Sequence, residues 1–396
     1  MLAFSMLLAM TTWFSASAVL PQVRAQWHLS ATSASFLTIA VQLGFVLGAV
    51  VSAVLSLADL LAPRKLILCG AIGAAAFNSL LAASHGSLTA LPLRFATGVC
   101  LAGVYPPALK AMATWFRRGR GTALGIMVGA LTLGSATPQL VVSLGGIRWQ
   151  TVIVITSLLT LTGGILTYTI GRDGPFPFPK AKFDPTQARR VIANRGVRLA
   201  SIGYFGHMWE LYAMWAWFSV FFADVLAGHD GGNPYRGAAL ATFAVIGIGG
   251  VGSWVGGVLS DLWGRTQAAA LAMALSGTTA LVIGFTTHLP VSVVLGIGLF
   301  WGFWVVADSA QFSAMVIEVS DQSYVGTAVT LQLAVGFVLT VVTLWIVPIL
   351  VRTGSWAWAF GILAPGPFAG VIAMARLRRA PQAALIAGGH RRWQAS

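Results

Sequence analysis

Acidic residues are scarce in this chain: ten Asp and Glu stand against 24 Lys and Arg among 396 residues. Charge of either sign is thin, at 9% of residues, where an average soluble domain carries about 25%. A soluble chain of this length could not cover its core with so few charges. Cysteine is nearly absent too. Cys69 and Cys100 both lie in apolar stretches and no zinc-ligand spacing exists, which excludes a disulfide framework and a zinc site. No Gly-x-x-x-x-Gly-Lys-Ser/Thr loop is present to cradle phosphates, and neither a zinc-protease motif nor a Gly-x-Ser-x-Gly elbow occurs. The expectation is a chain that is not an enzyme, with no metal and no cofactor. What the chain does have is apolar surface: 57% of residues are hydrophobic and the mean hydropathy is +0.82, as for a protein embedded in lipid.

A transmembrane helix needs about 20 mainly apolar residues. Twelve such stretches can be read, at roughly 2–21, 33–57, 65–84, 88–114, 121–144 and 150–170, then 199–223, 237–260, 266–286, 290–316, 325–350 and 356–375. Membrane strands alternate over about ten residues, and these runs do not alternate. Ala16-Ser17-Ala18 fits a signal-peptide cleavage site. However, no positive charge precedes the run and eleven spans follow, so the expectation is an uncleaved first helix. The apolar signal lapses over residues 171–198, which hold four prolines, seven Lys or Arg and two Asp. The expected organisation is a six-helix bundle at 1–171, a basic linker at 172–198, a second six-helix bundle at 199–376 and a basic tail at 377–396.

Charge sets the orientation. With both termini in the cytoplasm, eighteen Lys and Arg fall in inner loops and the tail. Four, Arg24, Arg148, Arg236 and Arg352, fall outside. That asymmetry places both termini inside by the positive-inside rule. It also explains the basic net charge by contact with anionic lipid headgroups, so no nucleic-acid partner is expected.

The halves repeat one another. Asp59 ends the second span, with Arg64 and Lys65 just after it; Asp261 ends the eighth, followed by Gly264 and Arg265. Gly121-Thr122-Ala123 opens the fifth span and Gly326-Thr327-Ala328 the eleventh. Six plus six helices in one orientation imply a parallel repeat about the membrane normal. Gly257, Asp261, Gly264 and Arg265 resemble the Gly-x-x-x-Asp-Arg-x-Gly-Arg-Arg signature of the major facilitator superfamily, with Leu262 in place of the first Arg. The first-half copy keeps Asp59, Arg64 and Lys65 but has Leu55 and Ala62 for the glycines, while Arg94 and Gly98 match the family's fourth-helix spacing. The resemblance implies an all-α integral membrane protein of twelve transmembrane helices in two pseudo-symmetric bundles. It also implies a cavity lined by helices 1, 4, 7 and 10, and a cytoplasmic gate made by Asp59, Arg64, Asp261 and Arg265. Asp59 should meet the start of helix 11, and Asp261 the start of helix 5.

Five ionisable residues fall well inside spans: Arg94 and Lys110 in the fourth, His207 and Glu210 in the seventh, and Asp308 in the tenth. A central charge costs about 2.5–3.5 kcal/mol on insertion scales, so something must hold these groups, and all lie on helices the family fold places at the cavity. The stripe Gly203, His207, Glu210, Met214, Trp217 and Phe221 keeps to one face of the seventh span. Glu210 lies about 18 Å along that helix from Arg198, near the midplane. The tenth span repeats the pattern with Trp301, Trp304, Asp308, Gln311 and Met315. Arg94 and Tyr105 are expected in the cavity, with Lys110 either there or reaching toward the inner headgroups.

A carboxyl in a poorly hydrated cavity can gain and lose a proton as the cavity changes sides. Glu210 is the first coupling residue expected and Asp308 the second. Arg94 and His207 suit an anionic group on a solute, and Tyr105, Trp217, Trp304 and Gln311 its body. The expected function is secondary active transport by alternating access, a proton-coupled movement of a small organic solute, anionic or zwitterionic, by a monomer in the inner or plasma membrane, with symport and antiport both open. One alternative is a proton-driven efflux antiporter for drugs or metabolites. That family's fifth-helix Gly-Pro pattern is incomplete here, where Thr137 precedes Pro138. A receptor built like a transporter but passing no solute is the alternative of a different class.

Overall fold

A computed structural model describes residues 1–116, 120–172, 174–176, 184–228, 234–321 and 323–389, apart from the side chains of 58, 59, 113, 120 and 387–389. Every regular element among them is helical. Among the described residues, eleven segments are long and apolar enough to cross a membrane. The spans are α2 (Ala31–Val54), α3 (Pro63–Leu81), α4 (Ser87–Leu101, continued by Tyr105–Ala113), α5 (Arg120–Ser143) and α6 (Trp149–Ile170). Then come α7 (Arg195–Ala227), α8 (Pro234–Trp263), α9 (Arg265–Ile283) and α10 (Val291–Ala307, continued by Ser309–Val319). Last are α11 (Val325–Thr353) and α12 (Trp356–Gly361, continued by Pro365–Arg379).

The first span departs from expectation. In place of one helix over 2–21, α1 is three pieces, Leu2–Ala9, Ser15–Ala18 and Leu20–Trp27. Thr11, Thr12, Ser15 and Ser17 are all buried at the interruption. The Thr11 hydroxyl donates to the carbonyls of Leu8 and Thr156, and Ser15 donates to that of Thr12. Hydroxyls that bond nearby carbonyls offer the backbone an alternative to the helix ladder.

Other boundaries follow from local chemistry. Pro106 and Pro107 sit in the first turn of the second piece of α4, where a missing N–H costs nothing, and the break falls just before them. Asn194 caps α7 by accepting from the N–H groups of Gly196 and Val197 at 2.9 and 3.2 Å. Gly264, at φ +97°, makes the tight turn from α8 into α9.

Two bundles result. In the first, α2 packs on α4, α3 on α6, and α1 against α5 and α6; in the second, α12 packs on α7 and α9, and α10 on α8 and α9. The α2–α4 contact is backbone to backbone: a Cβ on Gly98 would collide with the Val41 carbonyl, and one on Gly44 with that of Phe95. The bundles meet along α5–α8 and α2–α11. The Asp59 side chain, expected at the start of α11, is not among what the structure describes, nor are parts of the linker and the tail.

Candidate functional site

A cavity of about 550 Å³ lies between the bundles. Its ceiling is aromatic. Tyr212, Trp215 and Phe337 line it, and behind them Trp13, Phe14 and Phe45 complete a plug drawn from α1, α2, α7 and α11. Ring centroids are 4.6 Å apart for Phe45–Phe337, 5.3 Å for Tyr212–Phe337 and 5.6 Å for Phe14–Trp215. The cavity mouth is at the opposite end. Ser56, Lys110, Glu318, Ser320 and Gly326 line it, all at the ends of spans nearest the central linker. This end is called the linker side below. Between mouth and ceiling, Tyr105 from the first half faces Tyr204 and His207 from the second, with Leu109, Val128 and Leu333 among the apolar walls.

Arg94 does not reach this cavity, contrary to expectation. It is fully buried inside the first bundle and is consumed by the break in α1. Its Nη2 donates to the Trp13 carbonyl at 2.6 Å, Nη1 to the Thr12 carbonyl at 3.1 Å and to Asn78 Oδ1 at 2.9 Å, and Nε to the Leu37 carbonyl at 3.2 Å. Interrupting α1 strands carbonyls in a low-dielectric interior, and a planar guanidinium with five donors satisfies several at once.

Glu210 also turns away from the cavity. It is 1% exposed and lies between α9 and α10. Its Oε1 accepts from Trp301 Nε1 at 2.7 Å and its Oε2 from the Ser276 hydroxyl at 2.9 Å. The expected α7 stripe is displaced by one residue: Tyr204, Met208, Leu211 and Trp215 line the cavity where Gly203, His207, Glu210 and Met214 were expected, and of the expected stripe, Trp217 and Phe221 included, only His207 does. One residue turns a helix by about 100°, so the remainder of the stripe packs into the second bundle. Trp217 donates to the Leu344 carbonyl at 3.3 Å.

In α10 the ladder breaks at Asp308, and the face expected to run through Trp301, Trp304, Asp308 and Gln311 is dispersed. Trp301 goes to Glu210, and Trp304 packs edge-on against Phe303 and at a tilt against Phe300. Gln311 accepts from Arg265 Nη1 at 2.8 Å. None of the four lines the cavity. Asp308 reaches it through one neighbour. Its Oδ1 stands 2.9 Å from His207 Nδ1, and His207 Nε2 is 2.8 Å from the Ser309 hydroxyl. His207 and Ser309 are on the cavity wall. Asp308 Oδ1 and His207 Nδ1 are close but not aligned for a hydrogen bond, and Asp308 Oδ1 has no hydrogen-bond partner among the described residues.

Arg265 is buried and meets Glu318 at 3.0–3.1 Å through both Nε and Nη2. Asp261 Oδ2 accepts from the Thr122 N–H at 3.1 Å and its hydroxyl at 2.9 Å. Arg64 is exposed. Tyr105 and Lys110 both line the cavity. Glu318, Ser309, Tyr204 and Tyr212 were not singled out from the sequence. The polar tips on aromatic bodies in α7 were the signal available for the last two.

The family model for the Major Facilitator Superfamily matches residues 2–311. No curated protein matches in sequence. The fold is similar to the crystal structure of a bacterial homolog of the human lysosomal transporter Spinster, described as inward-facing and unoccupied. The TM-score is 0.65 and identity 15%, covering 100% of this chain and 98% of that one. With two six-helix bundles about a central cavity and a family model matching most of its length, the chain belongs to the Major Facilitator Superfamily and is an integral membrane transporter, not an enzyme.

Proposed function

We propose that this transporter moves a small organic solute by alternating access, with the solute held in the central cavity and movement coupled to protons through the Asp308–His207–Ser309 chain. One observation carries the reading. The buried Asp308 carboxyl lies 2.9 Å from His207 Nδ1, with its Oδ1 holding no hydrogen bond among the described residues, and His207 Nε2 lies 2.8 Å from the Ser309 hydroxyl on the cavity wall, so a small turn of the ring would let a proton pass between the cavity and a group screened from it. Glu210, the first coupling residue expected from the sequence, has no such route: its two oxygens are held by Trp301 and Ser276 inside the second bundle.

The solute's character follows from the wall. The aromatic ceiling and aliphatic sides take a partly apolar body, and the Tyr105 and Tyr204 phenols offer hydrogen bonds midway. Lys110 and Glu318 put both signs of charge at the mouth, which supports a zwitterionic or acidic solute with its polar end toward the linker side. The excess of basic residues in the linker and tail supports that side as cytoplasmic, in an inner or plasma membrane. An uptake screen in proteoliposomes with an imposed pH gradient tests the reading. Accumulation of one such solute that requires the gradient is expected; flux that ignores the gradient for every transported solute would remove the coupling.

A further inference from the structure

The two contacts between the bundles are built differently. α5 and α8 lie backbone to backbone. A Cβ on Gly129 would stand 2.8 Å from the Gly250 carbonyl oxygen, and one on Gly257 2.7 Å from that of Gly121. Between these points the buried Ser253 hydroxyl donates to the Gly125 carbonyl at 3.0 Å. The pair is also pinned at both ends of α5. On the linker side, the Asp261 carboxylate takes the Thr122 N–H and hydroxyl at the α5 N-terminus. On the opposite side, Arg236 at the start of α8 donates through Nη2 to the Leu144 carbonyl at 2.9 Å and through Nε to the Ser143 carbonyl at 3.3 Å, where α5 ends. A carboxylate at the N-terminus and a guanidinium at the C-terminus each match the helix dipole. Gly145, at φ +73°, keeps the second site clear, since a Cβ there would collide with the guanidinium.

The α2–α11 pair does the reverse. Its helices meet at Phe45 and Phe337, whose centroids are 4.6 Å apart. Toward the linker side the cavity lies between them, with Ser52 and Ser56 on one wall and Val325 and Val329 on the other. Thr327, the repeat counterpart of Thr122, is engaged by the linker: its hydroxyl accepts from the Asp184 N–H at 2.8 Å and donates to the Asp184 carbonyl at 3.2 Å. The cavity is thus open along one inter-bundle contact while the other is clamped from end to end.

We propose that the α5–α8 seam is a fixed hinge and that linker-side opening is one-sided: α2 and α11 part and rejoin while both ends of the seam stay closed. In a symmetric rocking motion both pairs would separate together. The proposal concerns the motion of the bundles and holds whatever the solute is.

Spin-label distance measurements test it in the full chain, with Cys69→Ser and Cys100→Ala as background. Exposed positions carry the labels: Leu55 with Ser323 across α2–α11, Ile126 with Leu262 across the linker-side end of the seam, and Leu144 with Leu240 across its other end. Phe337→Leu, or the stronger Phe337→Ala, loosens the aromatic plug and so draws the protein toward the linker-closed state. The Leu55–Ser323 distribution should shift to shorter distances while both seam pairs keep single, unmoved distributions. Asp261→Ala with Arg236→Ala should then broaden the two seam pairs. A seam pair that moves in step with Leu55–Ser323 overturns the proposal, as does a Leu55–Ser323 distribution that does not respond. Seam pairs left sharp after both clamps are cut would show that the end contacts do not hold the hinge.

Discussion

Replacing Arg94 by Met separates two roles that this residue can play. A cavity cation would bind solute; the guanidinium described above instead holds the broken α1. Met keeps much of the aliphatic length and supplies no donor. The substitution strips a donor from the carbonyls of Thr12, Trp13 and Leu37 and from Asn78 Oδ1, all buried, although Thr12 keeps the Ser15 N–H and Asn78 the Ser15 hydroxyl. Each stranded acceptor costs about 1–3 kcal/mol. Against that, the cost of burying a guanidinium disappears, and the α1 break can shift to recover part of its ladder. A net loss of about 2–5 kcal/mol is expected, or roughly 4–10 °C in Tm at about 2 °C per kcal/mol for a chain of this length. Arg94→Lys should lose nearly as much, because one ammonium cannot reproduce the planar fork. Tryptophan-fluorescence melting of the purified protein reads the first quantity. Solute binding to the protein still folded at low temperature reads the second, and its Kd should match wild type. An Arg94→Met protein with wild-type Tm and lost binding would refute this reasoning and return Arg94 to the cavity.

Other substitutions probe the remaining parts. Glu210→Gln should leave the pH dependence of transport unchanged, since the amide can still accept from Trp301 and pair with Ser276; loss of pH dependence in an uptake assay would restore Glu210 as a coupling group. His207→Gln should lower pH-driven accumulation at least tenfold, about 1.4 kcal/mol in equilibrium terms, because it cuts the contact between Asp308 and the cavity wall. Equal accumulation in the two proteins would count against the chain. Asn194→Ala should cost about 1 kcal/mol, as for other lost helix caps. Its amide also ties the linker to the Val319 carbonyl and Tyr324 hydroxyl, so thermal melting should show at least that loss.

The fold was legible in the sequence because its signals are collective. Twenty-residue apolar runs, a lopsided Lys/Arg distribution and the paired Asp59/Asp261 and Gly-Thr-Ala motifs each integrate many residues, and no single residue decides the outcome. The site was less legible because it turns on direction. A charged residue on a cavity-forming helix can point into the cavity or into its own bundle, and periodicity does not choose between the two. Arg94 points inward because α1 breaks, and that break arises from hydroxyls at Thr11 and Ser15 whose bonds reach across to α6 and α3. Glu210 points inward because Trp301 and Ser276, distant in sequence, converge on it. Asp308 was expected to face the cavity; it is buried behind His207 instead, and that placement depends on α10 breaking at this residue, which local propensity does not announce. Arg265 was placed by its motif; its partner Glu318 lies 53 residues away and belongs to no motif in the chain.

The most direct measurement of the central claim is proton movement driven by a solute gradient. Proteoliposomes carrying an internal pH indicator would receive a downhill gradient of a transported solute with no pH gradient imposed. Wild type should carry protons with the solute. Asp308→Asn should still exchange labelled for unlabelled solute across the membrane, because the cavity wall is intact, yet carry no protons. Proton flux persisting in Asp308→Asn, at the wild-type ratio to solute flux, would contradict the assignment of coupling to the Asp308–His207–Ser309 chain.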